Sequence, residues 1–342
     1  MPHKTFFGFI LPSLVAMLLF IALPIASVAY QSVFVEHKQV MNAVETCDPF
    51  GCKTAMRIDV NAMTELRDSQ PQGRFNGLGT YLNATHLATH EIAELWRTAP
   101  DMSAVLSGLM NLPFYKAMAF TLAFTFIVTP ASILFGFAIA LAVNALPRAL
   151  RGTVIYFTLL PMIVPTLLSA LVLFWMIDQR GIIGSGLQWL FSDPELSLKA
   201  SPALTWIILF LHGTWNAAPF VFIILYAGLQ TVPRDTLEAA MIDGASRFMR
   251  LRLVVLPHLR PLMTFLVVVS IMDNFRVFET IVGFSAGAYA SSLSTLVFND
   301  LRSGDSPLFG SAAATSMLTI LCIGVLLVPS MIRSSQTFRQ KV

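Results

Sequence analysis

Long apolar runs constrain this chain more than any other feature of its sequence. Several stretches of 20 or more largely apolar residues recur, and each could cross about 30 Å of hydrocarbon as a helix rising about 1.5 Å per residue. Charged residues make up only 12% of the chain, about half the share of a typical soluble domain. A β-barrel would instead show alternation over strands of about ten residues. The sequence therefore predicts an all-α polytopic membrane protein that contacts lipid along most of its length.

The hydropathy pattern predicts six transmembrane helices. We place them at residues 6–34, 116–146, 151–177, 203–229, 261–283 and 310–332. The first run is longer than the apolar region of a normal signal peptide, so we expect it to remain as a span. Eleven Lys and Arg residues fall on the side of the N-terminus and three in the short loops opposite. Because basic residues concentrate on the inner side, we expect both termini in the cytoplasm.

These spans divide the chain into parts. We predict a first helix, a periplasmic loop or cap, a transmembrane domain and a cytoplasmic tail, at 1–35, 36–114, 115–333 and 334–342.

The predicted periplasmic loop contains two close cysteines, Cys47 and Cys52, in the string CDPFGC. An exported pair that closes so short a loop is typical of a disulfide, because that compartment is oxidising. Two free thiols remain the alternative. No second pair of close ligands accompanies them, so no metal site is predicted.

A polar, arginine-rich interruption between two apolar runs contains residues that are typical of helix ends. Asp235 is placed to cap a short helix, and Glu238 lies three residues later, as in a capping box. Gly244 is placed at its C-terminal end. Ser246 can cap a second helix that we expect Pro257 to end. The pattern predicts two short helices, outside the bilayer, joined by a glycine turn.

Three motifs in this interruption resemble the EAA loop of binding-protein-dependent ABC import permeases. They are Glu238-Ala239-Ala240, Asp243-Gly244-Ala245 and Leu256-Pro257. The flanking strings WNAAPFVFIILYAGLQTVP and NFRVFETI resemble the carbohydrate branch, of the maltose and glycerol-phosphate first-subunit type. The resemblance covers about 115–333. It implies the ABC transporter type I permease fold, with residues 231–260 as the cytoplasmic coupling loop.

The resemblance also implies a location in the bacterial inner membrane, partners and a function. The expected assembly is a heterodimer with a second homologous permease, two ATPase subunits that bind ATP and Mg²⁺, and a periplasmic solute-binding protein. Glu238 is expected to pair with a basic residue of the ATPase, although helix capping alone also explains a glutamate there. The implied function is import of a sugar or sugar derivative, driven by ATP hydrolysis in the partner subunits.

The chain lacks the motifs that would give it chemistry of its own. No Gly-x-x-x-x-Gly-Lys-Ser/Thr string is present to cradle a phosphate, and no nucleophile elbow or HExxH occurs. Its basic residues lie in short loops without the aromatic interleaving of a nucleic-acid surface. We therefore expect no catalysis, no cofactor on this chain and no nucleic-acid partner.

Polar residues within the predicted spans are candidates for the substrate pathway. Charged groups at membrane depth are expensive unless they pair or face a wet cavity, and sugars are held by aromatic faces with nearby polar groups. The candidates are Trp175, Trp215, Asn216, Asp273, Asn274, Arg276 and Glu279. The other interpretation is structural, since Asp273, Arg276 and Glu279 are three residues apart and could form an ion-pair ladder on one helix. An Arg276 that faced the cavity unpaired would favour an anionic sugar derivative.

The same charged residues leave open an ion-coupled secondary transporter of a polar solute. Such a protein would use them as a proton or cation relay and would need no cytoplasmic coupling loop.

Within either class, Pro130, Pro161 and Pro165 are expected to permit kinks in the second and third spans.

Overall fold

The computed structural model describes residues 3–37, 40–48, 51–193, 195, 197–199, 201–303 and 308–339. Its α-helices, in chain order, are α1 His3–Met17, α2 Leu23–Gln31, α3 Val60–Ser69, α4 Gly79–Leu82, α5 Thr89–Thr98, α6 Met102–Asn111, α7 Pro113–Ala145, α8 Arg148–Ile163, α9 Thr166–Met176, α10 Ile182–Phe191, α11 Pro202–Gln230, α12 Arg234–Ile242, α13 Arg247–Arg250, α14 Leu256–Phe275, α15 Glu279–Gly283, α16 Leu293–Leu301 and α17 Phe309–Arg339. The strands are β1 Phe34–Val35, β2 Met41–Asp48, β3 Gly51–Ile58 and β4 Arg74–Phe75. Two π-helical turns, Leu18–Ala22 and Leu251–Val255, and a 3₁₀ turn, Ala286–Ala288, complete the described elements.

The described helices agree with the prediction of six spans. Five segments are long and apolar enough to cross a membrane, and the bent pair α8–α9 makes a sixth if it counts as one span. The five are Phe7–Gln31, Pro113–Ala145, Pro202–Gln230, Arg247–Phe275 and Phe309–Pro329.

The fifth span differs from its predicted bounds of 261–283. Its helix begins at Arg247 and ends at Phe275, so the prediction that Pro257 ends the preceding helix is wrong. The physical reason is the π-helical turn before it, in which the Leu256 N–H donates to the Leu251 carbonyl, five residues back. Pro257 directly follows this turn as the second residue of α14, so the change of hydrogen-bond register falls where proline lacks an N–H to donate.

The third span contains the predicted kink, and Pro165 forms it. Helix α8 ends at Ile163, Val164 is extended, and Pro165 directly precedes α9. The two helices meet at 94°. Pro130 and Pro161, by contrast, lie inside α7 and α8, which continue through them.

The chain divides into two compact units, and the first comprises residues 1–115 and 296–321. Within it β1 pairs with β4, and β2 pairs with β3, both antiparallel. The start of α17 is held closely in this unit, because the Gly310 N–H donates to Glu36 Oε1 at 2.8 Å and His86 Nε2 lies 3.1 Å from the Ser311 carbonyl oxygen. A Cβ at Gly310 would come within 2.0 Å of the Phe34 carbonyl oxygen, so only glycine permits this approach.

The predicted disulfide concerns side chains that lie outside the described residues. The backbone register of the β2–β3 hairpin places Cys47 opposite Cys52. The disulfide itself stays a prediction.

The second unit comprises residues 116–295 and 322–342 and holds both candidate sites. Its α7, α11 and α14 pack around apolar side chains that include Phe222, Leu225 and Leu266, all fully buried. Helix α15 packs closely on α9, since a Cβ at Gly283 would come within 2.4 Å of the Leu167 carbonyl oxygen. These contacts bring the ends of α14 and α15 beside α7, α9 and α11.

Candidate functional site

Local hydrogen bonds shape the turn between α12 and α13. Gly244 has φ +78°, which glycine adopts without steric cost. Its N–H donates to the Met241 carbonyl at 3.1 Å, and the Ala245 N–H donates to the Ala240 carbonyl at 2.9 Å. Ser246 Oγ then accepts from the Met249 N–H at 3.3 Å and caps α13. The predicted glycine turn and serine cap are both confirmed.

The predicted start of the first helix is wrong. Helix α12 begins at Arg234 after Pro233, and no side chain caps its N-terminus. Asp235 therefore lies inside the first turn, and the capping box with Glu238 does not form. Pro233 occupies the N-cap position with an extended backbone, and its ring has no polar group that could cap the helix.

The coupling loop, defined above as residues 231–260, presents most of its motif residues to solvent. Glu238, Ala239, Asp243, Gly244 and Pro257 are exposed, and Ala240, Ala245 and Leu256 are half-buried.

Sequence reasoning missed two apolar side chains at this loop. Ile242 is 86% exposed and Phe248 is 71% exposed, one on each side of the Gly244 turn. Large apolar side chains that are exposed on the surface of a protein can mark a contact with a partner. The signal in the sequence was that two large apolar residues lie close to the turn glycine. If the helices there packed on their own chain, these side chains would be buried.

One helical segment joins the coupling loop to the interior of the second unit. Arg247–Phe275 runs without a break over 29 residues, which corresponds to about 43 Å at about 1.5 Å per residue. Its first turn follows Gly244, and its last turn contains Asp273 and Asn274. We call this segment the loop-to-cavity helix.

A cavity of about 660 Å³ lies at the far end of the loop-to-cavity helix. Its walls come from α7, α8, α9, α11, α14 and α15. The lining residues are Phe124, Met162, Thr166, Gly213, Asn216, Ala217, Phe220, Ser270, Asp273, Asn274, Arg276, Val277, Phe278, Glu279 and Thr280. Aromatic rings and side-chain hydroxyl, amide and charged groups thus share one space.

Hydrogen bonds between helices hold the polar residues of the cavity in place. Asn274 Nδ2 donates to Thr129 Oγ1 at 2.9 Å and joins α14 to α7. Thr166 Oγ1 donates to Asn216 Oδ1 at 3.3 Å and joins α9 to α11. Each amide keeps a second polar atom available, since an amide side chain has both donor and acceptor groups.

The charged residues form one ion pair rather than a ladder. Arg276 donates from Nη2 to Asp273 Oδ1 at 2.7 Å, as the spacing predicts. The ladder to Glu279 is wrong, because α14 ends at Phe275 and Glu279 begins a new helix after Val277 and Phe278. Among the described residues no ion pair joins Arg276 to Glu279.

The structure brings together five of the seven predicted pathway residues. Asn216, Asp273, Asn274, Arg276 and Glu279 line the cavity. The two tryptophans, Trp175 and Trp215, are not among the lining residues.

Sequence reasoning also missed lining residues such as Thr166, Ser270 and Phe124. Small hydroxyl residues and phenylalanines are common in any span, so their types gave no signal. Only the packing of the helices selects these particular ones. Among the described residues no group of three or more His, Cys, Asp or Glu side chains could hold a metal ion.

Residues 132–333 match the family described as binding-protein-dependent transport system inner membrane component. The trehalose/maltose transport system permease protein of Thermococcus litoralis is 30% identical over 213 residues, which cover 61% of this chain and 71% of that protein. The sn-glycerol-3-phosphate transport system permease protein of Pectobacterium atrosepticum is 30% identical over 227 residues, which cover 64% of this chain and 75% of that one. A solved bacterial ABC transporter involved in the import of alginate, an acidic polysaccharide, superposes with a TM-score of 0.60 at 18% identity and covers 81% of this chain and 97% of its own. This last likeness shows the fold.

Proposed function

Because this chain belongs to the family of binding-protein-dependent transport system inner membrane components, we propose that it is the permease subunit of an ATP-driven importer of a sugar or sugar derivative. The coupling loop receives the movement of the ATPase subunits, and the cavity passes the solute. The chain is a multi-pass membrane protein and a transporter subunit by family.

The observation that supports this function most directly is the loop-to-cavity helix. Its N-terminal turn lies in the coupling loop, and Asp273 and Asn274 stand in its last turn, at the cavity. A continuous helix moves largely as one rigid body. A displacement of its end at the coupling loop therefore also displaces its residues at the cavity, because no flexible loop lies between them. The π-helical turn Leu251–Val255 is the one irregular stretch within it, and such turns often occur at functional positions.

The coupling loop suits a protein partner. Ile242 and Phe248 offer apolar contact area, while Glu238 is exposed beside them and can pair with a basic residue of an ATPase subunit. Ala239 and Ala240 keep this helix narrow, so that it can seat closely. The motif residues Asp243, Gly244, Ala245, Leu256 and Pro257 set the turn and the entry into the next helix.

Family membership supports the rest of the assembly that we propose. The second permease is a homologue of this chain, two ATPase subunits bind ATP and Mg²⁺, and a solute-binding protein delivers the solute from the periplasm. This chain then needs no ATP site. Both termini are cytoplasmic, 36–114 forms the periplasmic cap, and 115–333 is the transmembrane domain.

The composition of the cavity suits a sugar. Phe124, Phe220 and Phe278 can cover the apolar faces of a ring, and the amides of Asn216 and Asn274 can take its hydroxyl groups. Relatives are named for transport of uncharged disaccharides and of a sugar-like phosphate, so family membership leaves the charge of the solute open.

Reconstitution in proteoliposomes tests the proposal. The chain is co-expressed with the permease, ATPase and binding protein of its own system, and uptake of labelled sugars is measured with and without ATP. We expect uptake to require ATP and the binding protein and to survive an uncoupler.

Two other results would contradict the proposal. Uptake that continued without ATP and collapsed with an uncoupler would identify an ion-coupled secondary transporter. Normal turnover after deletion of residues 234–245 would show that this loop transmits nothing from the ATPase.

A further inference from the structure

We propose that the Asp273–Arg276 ion pair makes the cavity a charge filter, which admits uncharged or amino-bearing sugars and rejects anionic ones. This inference rests on the proposed function and narrows its substrate class. The pair stands at the end of the loop-to-cavity helix and lines the cavity with Glu279.

The first argument is the charge of the lining. Asp273 and Glu279 contribute two carboxylates, and Arg276 contributes the one guanidinium, so the charged residues that line the cavity have a net formal charge of −1. An anion entering this space meets a net repulsion, whereas an ammonium group meets attraction. An uncharged sugar can donate its hydroxyl hydrogens to either carboxylate.

The second argument is that Arg276 is already engaged. Its Nη2 lies 2.7 Å from Asp273 Oδ1, so a carboxylate already balances the charge of the guanidinium. An anionic ligand that used the remaining N–H groups would bring a second negative charge close to Asp273. Side chains in this pair are 66% and 62% exposed, and pairs this exposed are weak in bulk water. Charges between membrane spans are costly unless they are paired, so an anionic ligand that drew Arg276 away would leave Asp273 without its counter-charge.

The third argument is that the backbone favours the pair. Arg276 directly follows the last residue of α14, and its N–H donates back to the carbonyls of Asp273 and Asn274. Asn274, between the two charged residues, is buried and held by Thr129. Both ends of the pair are therefore anchored on a stretch whose position α7 determines.

A binding experiment on the purified complex tests this filter. The complex of this chain with its second permease and its ATPases is placed in nanodiscs without the solute-binding protein, so that selection by that protein does not enter. The probes are trehalose, maltose and cellobiose, each beside its derivative with one CH₂OH oxidised to a carboxylate and its derivative with one hydroxyl replaced by an amino group. Equilibrium affinities are measured for the wild type, Asp273→Asn and Arg276→Gln.

The filter predicts opposite shifts in the two variants. Wild type binds the best uncharged or amino sugar at least about tenfold more tightly than its carboxylate derivative. Asp273→Asn frees Arg276 and raises the relative affinity for the carboxylate derivative about tenfold. Arg276→Gln lowers the relative affinity for the carboxylate derivative below that of wild type and raises the relative affinity for the amino derivative.

Asp178→Asn is the matched control. It breaks another carboxylate–cation pair of the same unit, Asp178–Lys199 at 2.9 Å, whose residues do not line the cavity. We expect it to leave the ratio of affinities unchanged.

Two results would overturn the inference, and they differ in what they imply. Tighter binding of a carboxylate derivative by wild type, lost in Arg276→Gln, would refute the filter and leave sugar import standing. Absence of binding for every sugar in the panel, together with no ATP-driven sugar uptake in proteoliposomes, would refute the proposed function and the filter with it.

Discussion

The two ends of the loop-to-cavity helix are built in different ways. At the coupling loop, the hydrogen bonds of Gly244, Ala245 and Ser246 reach no further than five residues along the chain. At the cavity, Asn274 bonds to Thr129, 145 residues away, and the Thr166–Asn216 bond spans 50 residues.

This difference determines how each end of the loop-to-cavity helix can act. Because the turn at Gly244 takes its shape from local hydrogen bonds, Ile242 and Phe248 on either side of it need not pack on the rest of the chain, and both are exposed. The cavity exists only when several spans meet, so its polar residues respond to any shift of those spans. A helix that joins the two can therefore convert a docking movement into a change of the cavity.

The largest effect is expected from a charge on the exposed face of the coupling loop. Ile242→Asp should weaken binding of the ATPase subunits at least about 30-fold, because a buried apolar anchor contributes about 2 kcal/mol or more at a protein interface. Thermal stability of the isolated chain should not change, since Ile242 is 86% exposed. Co-purification and titration of ATPase subunits measure the loss.

Ile182→Asp is the control for this variant, because Ile182 is a similarly exposed isoleucine, at 79%, in α10. An equal loss of ATPase binding in both variants would show that the effect is not a property of the coupling loop.

The next prediction tests the packing of α15 on α9, beside the cavity. Gly283→Ala should destabilise the chain by about 1–3 kcal/mol, because the new Cβ would overlap the Leu167 carbonyl oxygen at 2.4 Å. Gly287→Ala adds the same methyl group where no atom lies within 4 Å. Unfolding midpoints in detergent should fall for the first variant alone, and equal midpoints would contradict the close packing of α15 on α9.

A double-mutant cycle tests the hydrogen bond that links α14 to α7. Asn274→Leu and Thr129→Val should each cost about 1–3 kcal/mol, because each leaves a buried partner unsatisfied. The double variant should cost less than the sum by about 0.5 kcal/mol or more. Strict additivity of the unfolding free energies would show that the bond does not couple the two helices.

The smallest effect is expected outside both regions, at the half-buried pair Asp178–Lys199. A hydrogen bond from Lys199, with one from the Arg180 N–H, lowers the pKa of the Asp178 carboxyl. A lowered pKa contributes stability above the unfolded value of about 3.9, and that contribution disappears as the pH falls through the folded-state pKa.

The Asp178→Asn variant should therefore melt slightly below wild type at neutral pH and match it in acid. Unfolding midpoints from pH 7 to pH 3, at low salt, measure the convergence. A gap that widened as the pH fell would contradict the sign of the shift.

Sequence reasoning succeeded where the cause was local. The six apolar runs, the turn at Gly244, the cap at Ser246, the kink at Pro165 and the Asp273–Arg276 pair were predicted, because each depends on residues a few positions apart. The Arg276–Glu279 ladder failed for a related reason, since it assumed a helix that in fact ends at Phe275.

The sequence by itself determined the class of the protein, its membrane-spanning segments and the glycine turn of the coupling loop. Apolar length and backbone conformation are properties of neighbouring residues, so they can be read along the chain. Only the tertiary structure decided that Asn216, Asn274 and Arg276 share one cavity with Thr166 and Ser270, while Trp175 and Trp215 do not line it. Those outcomes depend on how distant helices pack, and that packing is set by contacts between residues that the linear order keeps apart.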